Sequence, residues 1–378
     1  MDIKTFIAGE YAQQFQFKSF LPSKVNFEWM WTEPKINTLL AEANKLLGEL
    51  NAFSLYVPDI NFFIMMHVIK EATTSSKIEG TRTSVDEALL DELDIAPEKR
   101  DDWKEVQNYV KALNYSIERL KEIPLSTRLL KDAHKILMQG VRGETKLPGE
   151  YRDSQNWIGG ATINDAAFIP PDKEEVSDLM GDLENFFHNE NINVPHLIKI
   201  AIGHYQFETI HPFLDGNGRL GRLMITLYLV STGLLDKPTL YLSDFFEKNK
   251  NLYYDNLMLV RTTNNLEQWI KFFLVAVIET SKKGIYTFKE ILRLKEKIEG
   301  EKIITLGKKT SKAKSLVHYL YAKPLINVRD VESALKITSK PANNIIQDFL
   351  RLGILKEMTG FKRNRLFLFE EYYRLFAE

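Results

Sequence analysis

Helical spacing governs this 378-residue chain and leaves little of it for a sheet. Between Asn61 and Glu79, the residues Phe63, Met66, Val68, Ile69 and Ala72 share one helix face, and Gly80 follows as a stop. Residues 103–120, 129–138, 174–188, 195–207, 252–260 and 266–281 carry the same period. Ser84 and Glu87 form a capping-box pattern ahead of Ala88, Leu89 and Leu90. The expectation is a mainly α fold. Residues 148–171 depart from it, because apolar runs from Trp157 to Thr162 and from Ala167 to Ile169 flank the turn residues Asn164 and Asp165. That pattern predicts a β-hairpin with Ile158 and Phe168 as its packing residues. Its edge could pair with an extended peptide, or the hairpin could simply cap the helical core.

The residues 211–222 read His-Pro-Phe-Leu-Asp-Gly-Asn-Gly-Arg-Leu-Gly-Arg. An apolar helix follows, with Leu220, Leu223, Met224, Leu227, Tyr228 and Ser231 at helical spacing. Gly216, Asn217 and Gly218 therefore sit at a helix N-terminus, where unpaired N–H groups and the positive end of the macrodipole favour an anion. Arg219 and Arg222 share a face in the first turn, where a cation is disfavoured by roughly 0.3–1 kcal/mol. Two guanidinium groups at that place fit a polyanion such as a phosphate chain. Asp215 supplies one carboxylate, enough with phosphate oxygens to hold Mg2+. His211 supplies an imidazole able to accept a proton near neutral pH.

Composition removes several function classes. The chain has no cysteine, so disulfides, thiolate metal sites and a cysteine nucleophile are excluded. It contains no run of about 18 apolar residues, so no membrane span is expected. The opening Met-Asp-Ile-Lys-Thr-Phe lacks a signal-peptide pattern, and a cytoplasmic location is the expectation. Charge is uneven: residues 282–378 hold 21 Lys+Arg against 11 Asp+Glu, a balance of +10 within a chain of net charge −1. The lysine-rich residues 282–314 read as an interdomain connection. Beyond them, 325–335, 339–352 and 355–369 read as helix, helix and hairpin, a winged-helix pattern. Ser339, Lys340, Asn343 and Asn344 open its second helix, and Lys362, Arg363 and Arg365 lie at the hairpin tip. DNA contact and a protein-interaction or dimerisation role both fit such a module.

The 211–222 run matches the signature of the Fic family, His-x-Phe-x-(Asp/Glu)-Gly-Asn-Gly-Arg-x-x-Arg, at every specified position. A second segment, Ser75-Ser76-Lys77-Ile78-Glu79-Gly80, resembles the family's inhibitory pattern (Ser/Thr)-x-x-x-Glu-(Gly/Asn) as found upstream in its second class. Resemblance extends over roughly residues 20–280. It includes Ala133 to Met138, Gly140 to Gly143 and Pro148 to Arg152 leading into the hairpin. It implies three parts: an N-terminal helical region (1–105) with the inhibitory motif, a Fic catalytic core (106–281), and a linker with a winged-helix domain (282–378).

The resemblance also implies an activity: autoinhibited protein adenylyltransferase, moving AMP from ATP to a Tyr, Thr or Ser hydroxyl of a protein, itself included. His211 would be the base and Asp215 the Mg2+ ligand. Gly216, Asn217 and Gly218 would cradle the phosphates, with the Asn217 side chain taking part. Arg219 would face the β-phosphate and Arg222 the γ-phosphate. Phe213 would anchor the loop. Glu79, with Ser75 one turn before it, would pair with Arg222 and misalign ATP. The hairpin would be a flap that aligns the target, with Ile158 and Phe168 in it. Tyr254 could contact adenine or simply pack, and His204 reads as a hydrogen-bonded core histidine. Relatives of this kind often dimerise. Removal of AMP, transfer of another phosphate-bearing group, and a DNA-binding regulator that senses nucleotide are the competing functions.

Overall fold

A computed structural model describes residues 1–56, 60–360 and 365–377 of the chain. The Phe63 side chain, Lys362 and Arg363 lie outside the described parts. The elements run β1 (Gly9–Gln13), β2 (Lys18–Pro22), α1 (Pro34–Tyr56), α2 (Ile60–Ile78), α3 (Val85–Ala88), α4 (Arg100–Arg119) and α5 (Thr127–Leu137). After the flap segment come α6 (Val176–His188), α7 (His196–Ile210), α8 (Asn217–Ser231), α9 (Ser243–Lys248), α10 (Lys250–Thr263) and α11 (Leu266–Lys297). The C-terminal part holds α12 (Thr310–Ala322), β3 (Leu325–Ile326), α13 (Val328–Leu335), α14 (Ser339–Arg351), β4 (Lys356–Glu357), β5 (Phe367–Leu368) and α15 (Glu370–Ala377). Among the described residues, no helix is long and apolar enough to cross a membrane.

The helix α7 is buried from Leu197 to Ile210 without interruption, and α8 is buried from Asn217 to Leu229 except at Gly218. A helix buried all round belongs at the centre of a larger domain. The other helices pack around this pair, with α2, α4 and α5 against α8, and α6 and α11 against α7. Trp269 of α11 is fully buried and donates its indole N–H to the Ala201 carbonyl of α7 at 2.8 Å. The capping box at Ser84 and Glu87 forms as the sequence predicts.

Two local expectations are corrected, the helix start at Leu325 and the lysine-rich connection, and one element was not foreseen. An N-terminal hairpin, β1 against β2 with Gly9 opposite Pro22, is not part of the sequence reading. The flap at 148–171 is a hairpin closed by a single bridge, Ile158 to Phe168, with a 3-10 turn at Ile163–Asp165. The chain there is rich in turn formers and too short in apolar residues for a ladder. Leu325 and Ile326 form a strand paired with β5, and the helix begins at Val328, where Asn327 caps it.

The lysine-rich segment is not a loose connection. Helix α11 runs unbroken through the 281/282 boundary to Lys297, and a π-helical turn (Ile298–Lys302) and a 3-10 stretch (Ile303–Lys309) lead into α12. Ile285, Phe288, Ile291, Leu294 and Ile298 are buried at intervals of three and four. The apolar stripe thus persists beneath lysines that merely face water. The C-terminal part folds back onto this helix, with α15 packed on α11 and α2. Its antiparallel sheet has the order β3-β5-β4.

Trp269→Ala removes both the buried ring and its hydrogen bond to the central helix. A loss of about 3–5 kcal/mol in urea unfolding is expected. An unchanged unfolding midpoint would contradict the placement of α11 against α7.

Candidate functional site

The loop between α7 and α8 is bracketed by two left-handed residues, His211 (φ 50) and Gly216 (φ 76). A left-handed histidine at the helix end turns the chain sharply, which aims its side chain out of the buried helix. The turn is clamped from outside. Arg152 Nε and Asn156 Nδ2 both donate to the His211 carbonyl, at 3.1 and 3.2 Å. Phe213 is fully buried and stacks on His134 with 3.9 Å between ring centres, so it anchors the loop. The His134 Nδ1 accepts the Gly149 N–H at 2.9 Å, which leaves its Nε2–H to donate to the Asp215 carbonyl at 2.9 Å.

The Asn217 side chain accepts the Phe213 N–H at 2.8 Å and donates to the Phe213 carbonyl at 2.7 Å. With its oxygen and one N–H of the amide committed to Phe213, the side chain braces the loop. The start of α8 itself carries no side-chain cap, so the N-terminal backbone of Gly218 and Arg219 retains its anion-binding character.

The two arginines are buried and go to different helices. Arg219 pairs with Glu105 of α4 at 3.0 Å, with both side chains at most 3% exposed. Arg222 Nε donates to Ser75 Oγ at 2.9 Å, and its Nη2 donates to the Ser75 carbonyl at 2.9 Å and to Glu79 Oε1 at 2.7 Å. Loss of water works against ionised Glu79, but the charge and hydrogen bond of Arg222 outweigh it and hold the carboxyl below the usual range. Gly218 makes this approach possible. A Cβ there would stand 2.2 Å from Glu79 Oε1. The Glu79 carboxylate therefore occupies the space directly above the first turn of α8.

His211 lies in the same charged group. Desolvation, then the Arg261 charge, push its pKa down to about 4, with Glu79 opposing. The ring is thus neutral at pH 7, and its Nδ1 has no hydrogen-bond partner. Asp215 is about one-third exposed, with Oδ1 accepting the Gly216 N–H at 2.7 Å and Oδ2 3.4 Å from Lys146 Nζ. No cluster of three acidic, His or Cys side chains suited to a metal occurs among the described residues. A lone, partly exposed carboxylate fits only a cation held mainly by phosphate oxygens and water.

The flap packs from behind. Phe168 is buried, 5.8 Å from the Phe20 ring, with the Arg261 guanidinium 3.9 Å over its face. Phe20 N–H donates to the Ile169 carbonyl at 2.9 Å, so the N-terminal hairpin supports the flap. Phe168 is therefore an anchor, while Trp157 and the tip from Gly159 to Thr162 are exposed. His204 is a core side chain, bonded to the Gly221 carbonyl at 3.1 Å and the Tyr253 hydroxyl at 2.9 Å. Tyr254 is 36% exposed beside Tyr253.

Sequence reasoning missed Glu105, Arg152, Asn156, Arg261 and Glu208. Glu208 had a visible signal, since it is the one acid inside the mostly apolar α7. Its Oε1 has no partner, and burial pushes its pKa up to about 7, with Glu79 adding to the rise and Arg222 and Arg261 opposing it.

Residues 37–118 match the family model described as Fic/DOC family N-terminal, and residues 124–229 match that of the Fic/DOC family. A probable protein adenylyltransferase of Aquifex aeolicus is 33% identical over 180 residues, which is 45% of this chain and 50% of that protein. The protein adenylyltransferase Fic of Drosophila erecta is 29% identical over 164 residues, 43% of this chain and 29% of that protein. The matches thus span half or less of these relatives. Among solved structures, a Fic family protein from Desulfovibrio desulfuricans G20 superimposes with a TM-score of 0.55 at 21% identity, covering 89% of this chain and 96% of that one. Fic-1 (residues 134–508) from C. elegans gives 0.51 at 18% identity, covering 69% and 73%. These two likenesses show the fold.

The raised pKa of Glu208 fixes a sign. Its folded-state value lies above the unfolded one, so its contribution to stability is fully present below about pH 4.5 and is lost as pH rises through about 7. Glu208→Gln keeps the shape and removes the titration. Its urea stability relative to the parent should climb from pH 5 to 8, by up to about 1.4 kcal/mol per unit. A flat difference across that range would contradict it.

Proposed function

The chain belongs to the Fic/DOC family, and from that premise we propose that it is a protein adenylyltransferase, transferring AMP from ATP to a hydroxyl side chain of a protein and held back by Glu79. The observation that carries this reading is the convergence of His211, Arg222 and Glu79 on the start of α8. The named activity of the relatives in Aquifex and Drosophila points the same way.

In the proposed reaction the target hydroxyl oxygen attacks the α-phosphorus, the bond from that phosphorus to the β-bridging oxygen breaks, and pyrophosphate leaves. His211, neutral at pH 7, takes the hydroxyl proton. The N–H groups opening α8 receive the negative charge of the phosphates. Arg219 is already satisfied by Glu105 and mainly fixes the helix start. Its buried Nε, which has no partner, is the part of it available to a phosphate. Asp215 would hold Mg2+, which when bound offsets charge on the phosphate oxygens. Arg222 would take the γ-phosphate once Glu79 lets it go. While Glu79 holds it, the triphosphate meets a carboxylate where it needs a cation, and the α-phosphorus is turned from in-line attack. The exposed flap tip would align the segment bearing the hydroxyl.

An ionised Glu79 beside His211 also suits the positioning of water, so removal of AMP is a second reading of the same site. We read residues 310–377 as a winged helix. Its Arg365 is paired with Glu357 and lies over Phe367, which favours a protein contact, such as a second copy of the chain, over DNA at that position. A soluble cytoplasmic setting completes the reading.

Glu79→Gly should raise AMP transfer roughly 10²-fold, since misalignment of that kind costs about this much. Label should come from α-labelled and not γ-labelled ATP. Equal rates for variant and parent under matched ATP and Mg2+ would remove Glu79 as the restraint. His211→Ala should lower transfer about 10²–10⁴-fold with ATP binding retained, as judged by calorimetry. Full transfer by that variant would eliminate His211 as the base.

A further inference from the structure

A cavity of about 260 Å³ lies beside α2, bordered also by α9, α11 and α15. Its polar wall is unusual in composition. Lys70, Lys248 and Lys283 all gather on one carboxylate, Asp244, at 3.7, 3.1 and 3.1 Å. The other two acids at the cavity are engaged elsewhere. Glu71 accepts from the Tyr109 hydroxyl at 3.0 Å and from the Ser243 N–H at 3.2 Å, and Glu279 pairs with Lys282 at 3.2 Å. Lys70 is mostly buried, and burial holds its ammonium down to about 8 despite Asp244. The Lys70 ammonium stands 3.7 Å from a carboxylate that two further lysines share, so its charge is weakly offset there.

The facing wall is apolar and aromatic. Leu375 and Phe376 of α15 border it with His67 and Tyr241, and the His67 ring lies 4.8 Å from that of Phe376. His67 Nε2 and the hydroxyl of Tyr241, a residue only 7% exposed, are buried without a hydrogen-bond partner. Buried polar atoms left unpaired are rare enough to need a reason.

We propose that this cavity binds a small phosphate monoester with an apolar body, its phosphate among the three lysines and its body against the ring wall. Lysines are point charges suited to a phosphate dianion. An inert inorganic ion would leave the aromatic wall unused. The site also grips the helix that restrains the catalytic arginine. Lys70, Glu71 and Thr74 of α2 line the cavity, while Ser75, the next residue, holds Arg222, and Glu79 lies one turn further on. A ligand drawn to Lys70 and bonded to Thr74 shifts α2 against α8, so that binding here alters the hold of Glu79 on Arg222. This part rests on the adenylyltransferase reading.

Calorimetric titration of the full chain with phenyl phosphate tests the site without requiring any transfer activity. Saturable one-to-one binding is expected, tighter than that of inorganic phosphate. Lys248→Ala, half-exposed and peripheral, should weaken it, and Lys248→Ala with Lys283→Ala should weaken it about tenfold or more, with thermal melting confirming that both variants fold. No saturable binding, equal affinity for inorganic phosphate, or binding indifferent to both variants would overturn the site. For the coupling, phenyl phosphate should change the affinity for ATP at least about twofold in the parent and not in Glu79→Gly, since linkage is reciprocal. The same response in both would overturn the coupling. Binding with no AMP transfer by any variant would overturn the adenylyltransferase reading alone.

Discussion

Arg222 carries a charge that cannot be removed, at a position only 2% exposed. Everything around it answers that constraint. Ser75 gives the guanidinium two acceptors and Glu79 a third, so α2 must lie against the first turn of α8. Arg219, one turn earlier, imposes the same demand on α4 through Glu105. Two buried guanidinium groups thus tie two helices to the start of a third. Their partners are not equivalent. Glu105 is 2% exposed, and removing it would strand a buried charge at a cost of about 3–5 kcal/mol. Glu79 is 33% exposed just past the end of α2, with Gly80 next in the chain. The first pair is structural. In the proposed function the second is the pair whose carboxylate leaves.

The loop beneath them is rigid for independent reasons. Asn217 closes a ring with Phe213, His134 supports Asp215, and Arg152 and Asn156 fix the His211 carbonyl. In the proposed function, the backbone that would face phosphate is therefore in place before a nucleotide arrives, which is where electrostatic stabilisation gains most. The flap is the looser part, closed by one bridge yet pinned by Phe168 under Arg261. The same arginine donates to the Glu208 carbonyl at 3.0 Å, so the 148–171 hairpin and the central helix share one anchor.

Much of this was legible in the sequence where a residue's neighbours in the chain decide its state. The helical core, the helix start at Asn217, the capping box at Ser84 and the pairing of Glu79 with Arg222 all follow from spacing or from the family pattern. Long-range polar contacts did not. Glu105 meets Arg219 across 114 positions, and nothing local distinguishes it from a solvated acid on α4. The lysines after Ser281 concealed an apolar stripe, because charge was weighed above period. The bonds of Asn217 to Phe213 were not legible, because the motif names the residue but not the direction of its amide. The strands at Leu325, Lys356 and Phe367 are two residues each, too short for alternation to register.

The central claim of the proposal is that Glu79 restrains transfer by holding Arg222. A double-mutant cycle on AMP transfer, with the parent, Glu79→Gly, Arg222→Ala and the combined variant, measures that dependence directly. The account predicts that losing Glu79 stimulates transfer only while Arg222 is present, so that the combined variant is no faster than Arg222→Ala. Undiminished stimulation in the Arg222→Ala background would contradict it.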